Sequence, residues 1–238
     1  ASFFCLYIYN MIRIGVVYNI VRDLCNKDQK GFVTPAVFNT LAEVAQMNVY
    51  NEMFNELKLA NRLRASGSDA GRDKSAYKMV EEDLAYFIEE LDLTPNTDDI
   101  PQKPSNLSRI ISIHIGDTNT SAEIIYDSEK AKRVLNSNLS APTEDFPVAL
   151  VGNNVIEIFP DSLTDDAILK YYRLPETPLY VTTQISQGFV IEDPTASVDF
   201  ELPGHYLREL VGEIVRMIGV RLRDDVLMQY GTAEITNN

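Results

Sequence analysis

The feature that most restricts this chain is a change of hydrophobic period. Apolar residues recur at helical spacing near both ends, but they alternate or run in short β-branched blocks through the middle. The first change falls at residues 94–105, Thr-Pro-Asn-Thr-Asp-Asp-Ile-Pro-Gln-Lys-Pro-Ser, a stretch rich in helix breakers. The expectation is an α+β protein. Its N-terminal helices and C-terminal helix form one bundle, with a β-rich domain inserted between them. The regions are 1–104, 105–200 and 201–238. Two independent domains in series are the alternative.

In the first region, Ile14, Val17, Val21 and Leu24 place a helix over 12–25, followed by a polar turn ending at Gly31. Thr34-Pro35 is a strong helix start, since Thr caps free amides and Pro at the first position gives up only an unpartnered N–H. The helix that follows, 35–62, carries two apolar stripes. One is Val37, Leu41, Val44, Met47, Tyr50, Phe54 and Leu57; beside it run Phe38, Ala42, Ala45, Val49 and Met53. So wide an arc calls for more than one neighbour, within a bundle or across a subunit contact. A third helix is expected over 75–91, with Glu81, Glu82, Asp83, Glu89 and Glu90 as its solvated face.

Within the middle region, Ile111, Ile113 and Ile115 alternate with Ser112 and His114 as in a half-buried strand, and 122–126 reads as another. Ser128 should cap a short helix over 129–136. Val148-Ala149-Leu150-Val151, then Gly152-Asn153-Asn154, then 155–159 make the clearest hairpin. Residues 168–173 and 179–183 should extend the sheet, with the intervening prolines favouring edges and turns. Helical spacing returns at Pro203 and runs through Leu207, Leu210, Val211, Ile214, Met217 and Ile218 to a break at Gly219.

Charge excludes one class of function. With 21 Lys plus Arg against 35 Asp plus Glu, a net charge of -14 opposes binding to nucleic acid phosphates. Cys5 and Cys25 make neither a disulfide framework nor a zinc site. The apolar opening, Phe3-Phe4-Cys5-Leu6-Tyr7-Ile8-Tyr9, lacks a basic leader and a small-residue cleavage site, and Asn10 and Arg13 interrupt it short of a membrane span. Either Met11 is the initiator, or residues 1–10 form a docked strand or interface peptide.

Motifs with chemical potential fall short on inspection. Asn26-x-Asp28-x-Lys30-Gly31-x-Val33 imitates half a calcium loop, but a cation holds the fifth ligand position and Val37 the twelfth. Residues 67–75 imitate a phosphate loop without the Lys after the second Gly or a preceding strand. Asp161, Asp165, Asp166 and Lys170 are the only crowded candidates for a metal-dependent nuclease or phosphoesterase, and adjacent Asp165 and Asp166 would face opposite sides of a strand. His114 and His205 have no marked nucleophile, and Cys25 sits in an apolar helical setting that raises a thiol's pKa. No catalytic, cofactor or metal residues are expected. Aromatic side chains without basic interleaving suit protein contacts better than base stacking. Phe38, Tyr50, Phe54, Tyr171, Tyr172 and Tyr206 are the expected interface residues.

Two stretches carry a resemblance. One is Asn26-Lys27-Asp28-Gln29-Lys30-Gly31-Phe32-Val33-Thr34-Pro35-Ala36-Val37-Phe38-Asn39. The other runs from Asp199-Phe200-Glu201-Leu202-Pro203 to Ile218-Gly219-Val220-Arg221-Leu222-Arg223-Asp224. They resemble head–tail connector or adaptor (ring) proteins of short-tailed bacteriophages, including crAss-like phages, and the likeness covers only the helical ends. It implies a virion structural protein at the head–tail junction, assembled in the host cytoplasm, whose partners are its own copies, the portal and neighbouring tail or ring proteins. It implies further a dodecameric ring of side-by-side bundles around a lumen, with a β-domain reaching toward the next ring and DNA passing without specific binding. A non-viral assembly adaptor remains the other structural alternative.

Overall fold

The computed structural model describes residues 11–26, 33–65, 71–93, 102–116, 120–160, 163, 166–185, 189–222, 229 and 232–233. In chain order the elements are β1 (Met11–Ile12), α1 (Ile14–Asn26), α2 (Pro35–Ala65), α3 (Gly71–Ala85), β2 (Ile88–Leu93), β3 (Leu107–Ile115), β4 (Thr120–Ser121), β5 (Glu123–Ile125), α4 (Ser128–Leu135), β6 (Val148–Val151), β7 (Ile156–Phe159), β8 (Ala167–Arg173), β9 (Thr182–Ile185), β10 (Phe189–Glu192), β11 (Phe200–Pro203), a 3-10 turn (Gly204–Tyr206) and α5 (Leu207–Leu222). The protein is α+β, with α1 and α2 contacting α5 and several sheets between them in sequence. It divides into two compact units, residues 1–83 with 175–238, and residues 84–174.

The first unit is built by helices whose apolar residues repeat every three or four positions. Helix α1 buries Ile14, Val17, Tyr18, Val21 and Cys25, and α5 buries Leu210, Val211, Ile214, Val215 and Ile218. Thr34 starts α2 as its sequence predicts: its hydroxyl accepts from Val37 N at 3.3 Å and its carbonyl from Phe38 N at 2.9 Å. Asp199 caps α1 from across the chain, Oδ1 accepting from Ile14 N at 2.8 Å, just before β11 pairs antiparallel with β1. Residues 11–26 and 199–222 are thus held together by a cap and a strand pair as well as by helix packing.

Of the two stripes expected on α2, that of Phe38, Ala42, Ala45, Val49 and Met53 is buried throughout, whereas the other is buried only at Tyr50 and Phe54; its Val37, Leu41, Met47 and Leu57 are half-buried and Val44 is exposed. The buried row also includes a polar residue, Gln46. Its amide is matched on both sides: Nε2 donates to Glu176 O at 2.7 Å and Oε1 accepts from Glu201 N at 3.0 Å. Two turns earlier, Asn39 makes the same double bond to one residue, Nδ2 to Tyr180 O at 3.0 Å and Oδ1 from Tyr180 N at 2.9 Å. These two amides fasten the extended chain after residue 175 to α2. This is why residues 175–200 belong with the helices, although their spacing suggests sheet. Among the described residues, 182–185 pair only with β10, and Leu179 makes an isolated bridge to Val198.

The second unit contains two sheets, ordered β2-β8-β3-β4 and β5-β6-β7. Helix α3 stops at Ala85, so the helix expected to 91 is replaced by β2, which pairs antiparallel with β8 from Ile88↔Tyr172 to Leu93↔Ala167. Ile-Glu-Glu-Leu-Asp-Leu satisfies a helical period over one turn and a strand period over six residues, and six cross-strand pairs decide for the strand. The unit accordingly starts at Leu84 and ends at Leu174, not at the expected 105 and 200. Strand β8, expected to extend the sheet, lies between β2 and β3.

Alternation then distributes the core. Ile113 and Ile115 of β3, Ala167, Leu169 and Tyr171 of β8, Ala149 and Val151 of β6, and Ile156 and Ile158 of β7 share one apolar cluster. The hairpin β6–β7 forms as its turn residues predict, Gly152 N donating to Val155 O at 2.9 Å. Strand β6 has apolar residues on both faces because both are covered. Val148 joins Ile125 and Ala131 of α4 in a second cluster, and Leu150 packs beside them. Strands β5 and β6 are parallel and are joined through α4 and residues 136–147. Asp127, not Ser128, caps α4, its carboxylate accepting from Glu129 N at 2.9 Å.

Candidate interaction surface

The aromatic residues expected at subunit contacts are placed almost entirely inside the chain. Phe38, Tyr50, Phe54, Tyr171 and Tyr206 are buried, and Tyr172 is half-buried. Phe38 meets Tyr18 edge-on at 5.1 Å and Tyr180 at 6.1 Å, while Tyr18 and Tyr180 stack at 4.2 Å. Tyr50 and Phe54 pack edge to face at 5.1 Å. The structure brings Tyr18, Phe38 and Tyr180 together in one cluster, and it satisfies the hydroxyls of Tyr171 and Tyr206 with carboxylates of their own units. Intrachain packing accounts for these side chains.

Two polar clusters were not legible as such. In the second unit, Tyr171 donates to Glu89 Oε2 at 2.9 Å and lies 3.2 Å from Asn106 Oδ1, Asn106 Nδ2 donates to Glu89 at 3.1 Å, and Arg173 Nε pairs with Glu89 Oε1 at 3.2 Å. Burial, then the Glu89 hydrogen bond, hold the Tyr171 phenol above its ordinary pKa. Glu89 therefore anchors a network instead of lying on a solvated helical face.

In the first unit Asp83 is buried as well. Its Oδ2 is 3.0 Å from His205 Nε2 and accepts from Tyr206 Oη at 3.3 Å. Carboxylates of Glu52 and Glu56 on α2 and of Glu209 and Glu213 on α5 influence the same region. Burial first, then Glu56, Glu52 and Glu213, push Glu209 up to about 7. Glu56 is raised by burial and by Glu52 and Asp83, with His205 opposing. Among the described residues, no group of three or more His, Cys, Asp and Glu is placed to hold a metal ion.

The sequence motifs with chemical potential are placed as follows. Residues 27–32 of the calcium-like turn, 67–70 of the phosphate-like loop, and Asp161 and Asp165 lie outside the described residues. Lys170 Nζ pairs with Glu90 Oε1 at 3.1 Å across β8 and β2, and Asp166 O accepts from Gly116 N at 2.8 Å. Cys25 is buried, which raises its thiol pKa. His114 does have a hydroxyl partner, Ser112 Oγ, 2.9 Å from Nε2. Alternation along β3 puts the two on one face, a signal the sequence contains. Among the described residues no orienting acceptor completes the pair, because Nδ1 is buried without a hydrogen-bond partner there. Among the described residues no helix is long and apolar enough to cross a membrane.

What the sequence reading passes over is the surface between α4 and β6. Leu139 is 97% exposed, Phe146 78% and Tyr126 66%. The backbone carrying the first two is fastened locally. Ser137 Oγ accepts from Leu139 N at 3.2 Å and Ser140 N at 3.1 Å, and Thr143 and Phe146 exchange backbone hydrogen bonds of 3.3 and 3.1 Å. At the far side, Pro147 O accepts from Glu123 N at 2.9 Å, tying the segment to β5. Single exposed apolar residues are ordinary on any surface, but two large ones on a twelve-residue connection with so many internal bonds make a presented surface.

The chain matches no protein-family model and none of the curated proteins compared with it.

Proposed function

We propose that this chain is a non-enzymatic virion structural protein, a head–tail connector or adaptor that forms a ring beneath the portal. The observation that carries the assembly reading is the segment 136–147, which holds Leu139 and Phe146 in water on a hydrogen-bonded backbone. Covering such side chains with another protein gains roughly 1.5–3 kcal/mol for each fully buried one. Little conformational freedom is lost in doing so, because the backbone is already ordered.

The resemblance at the two ends gives the assembly its form. The resembling stretches contribute the start of α2, the Asp199 cap on α1, β11 and α5, so they meet in one unit. Copies related by a rotation that closes would make a ring, and the likeness implies twelve. A net charge of -14 suits a lumen through which DNA slides without specific binding, since carboxylates repel phosphates. The partners are then the chain's own copies, the portal and the neighbouring tail or ring proteins.

Electron microscopy of the purified protein, alone and mixed with the portal of the same virus, tests this reading. Closed rings, or portal rings bearing an added layer, are expected; monomers in both samples would overturn it.

A further inference from the structure

We propose that Glu89, Asn106, Tyr171 and Arg173 form a clasp that closes the β-rich unit, and that residues 84–174 open and reclose as a whole while the helical unit stays folded. Such a device belongs to each copy of the chain and stands whether or not the chain forms rings.

The clasp sits where the unit begins and ends. The chain enters it at Leu84 and leaves it at Leu174. Antiparallel pairing of β2 with β8 brings these two ends side by side, with Glu89 opposite Tyr171 and Arg173 N donating to Phe87 O at 2.8 Å. Glu89 Oε2 accepts from the hydroxyl of Tyr171, 82 positions away, and from Asn106 Nδ2, while Oε1 meets Arg173 Nε. Asn106 directly precedes β3, and its carbonyl accepts from Leu174 N at 2.7 Å. One carboxylate thus joins the ends of three strands that are far apart in sequence. The Arg173 guanidinium also lies 5.4 Å from the Tyr86 ring and 5.6 Å from the Phe87 ring, which fixes it against the entering segment.

Behind the clasp, the unit has apolar clusters of its own. The cluster around Leu169 and the one around Ile125 draw only on residues 91–171. Holding the two ends of so long a loop together costs entropy that only the whole core offsets, so contacts at the ends and contacts in the core form and break together.

Hydrogen exchange of the full chain in low urea, read segment by segment, tests the proposal with three variants. Glu89→Ala removes the acceptor of Tyr171, Asn106 and Arg173 together; exchange should speed up by about tenfold in β2, β3 and β8 and equally in the β6–β7 hairpin, which makes no contact with Glu89 in the hydrogen-bond network. Residues 42–54 of α2 and 210–218 of α5 should keep the parent rate. Tyr171→Phe leaves the ring in the core and removes only the hydroxyl, and it should give the same pattern at about fivefold, even where the alanine variant fails to fold. Glu90→Ala removes the neighbouring exposed pair with Lys170 and should stay within about twofold of the parent everywhere.

Faster exchange in α2 and α5 by the same factor, in the Glu89 or Tyr171 variant, would show that the chain opens as one body and would overturn the separate opening. A rise confined to the residues beside Glu89 would overturn the clasp, as would an equal rise in the Glu90 variant.

Discussion

Phe38 in the helical unit and Phe146 in the β-rich unit are the same residue type with opposite fates. Phe38 has no exposed surface and contacts two tyrosine rings; Phe146 stands in solvent at the end of a short connection. The difference is set by the backbone on which each sits. Phe38 lies on a 31-residue helix whose repeat buries seven apolar residues from Phe38 to Phe54 inclusive. Phe146 follows Thr-Glu-Asp and precedes Pro147, where no repeat directs a side chain inward. Aromatic content alone therefore says little about contacts between molecules; an aromatic residue off any period is the better indicator.

The sharpest way to break this contrast is to truncate both rings. Phe38→Ala should destabilise the chain by about 3–5 kcal/mol, through lost burial and the cavity left behind. Phe146→Ala should change it by less than about 0.5 kcal/mol. Urea unfolding followed by circular dichroism checks both, and similar midpoints for the two variants would contradict the assignment of core and surface.

Next in size is Gln46. Replacing it with Ala removes the partner of Glu176 O and Glu201 N in a part-buried setting, a loss of about 1–2 kcal/mol. Hydrogen exchange should rise first around residues 176–180 and in β11. Exchange that rises uniformly over the chain would show that these amides do not fasten the segment to α2.

Between about pH 4.5 and 7 the helical unit should carry a pH dependence. Glu209 has a folded-state pKa of about 7 against 4.5 for the free side chain, and Glu56 shifts in the same direction. Folding therefore takes up protons in that window, and the stability associated with these groups is full below about pH 4.5 and is lost as pH rises through 7. Glu209→Gln should flatten the slope between those values in thermal unfolding. A parent that gains stability from pH 5 to 7, with no change of slope in the variant, would contradict the crowding of carboxylates around Asp83.

The smallest effect tests the first turn of α1. A Cβ at Gly15 would run into the carboxylate of Glu192, the flexible end of a side chain that can swing away. Gly15→Ala should therefore destabilise by only about 1 kcal/mol, partly offset by better helix propensity. Pairing it with Glu192→Ala should restore parent stability.

Much of the architecture was legible because it depends on period. The Thr34-Pro35 start, the β6–β7 hairpin and the return to helix after Pro203 all follow from local spacing and turn chemistry. What was not legible depends on partners far along the chain. Residues 88–93 fit two periods, and only β8 selects one of them. Asn39 and Gln46 look like ordinary polar helix positions until Tyr180, Glu176 and Glu201 arrive beside them. Asp83 reads as solvated acid, yet His205 and Tyr206 meet it from more than 120 positions away. For the candidate surface, the sequence supplied the aromatic residues but ranked the buried ones first. Leu139 and Phe146 carry no pattern that marks them, except that they are large and apolar between turn residues.

Hydroxyl-radical footprinting of Phe38 and Phe146, in the free chain and in the complex proposed above with its own copies or the portal, tests the central claim most directly: buried rings serve the fold and the exposed loop serves the proposed assembly. The account predicts that Phe38 is protected in both states, whereas Phe146 is labelled in the free chain and protected in the complex. Equal labelling of Phe146 in the two states, or ready labelling of Phe38 in the free chain, would contradict it.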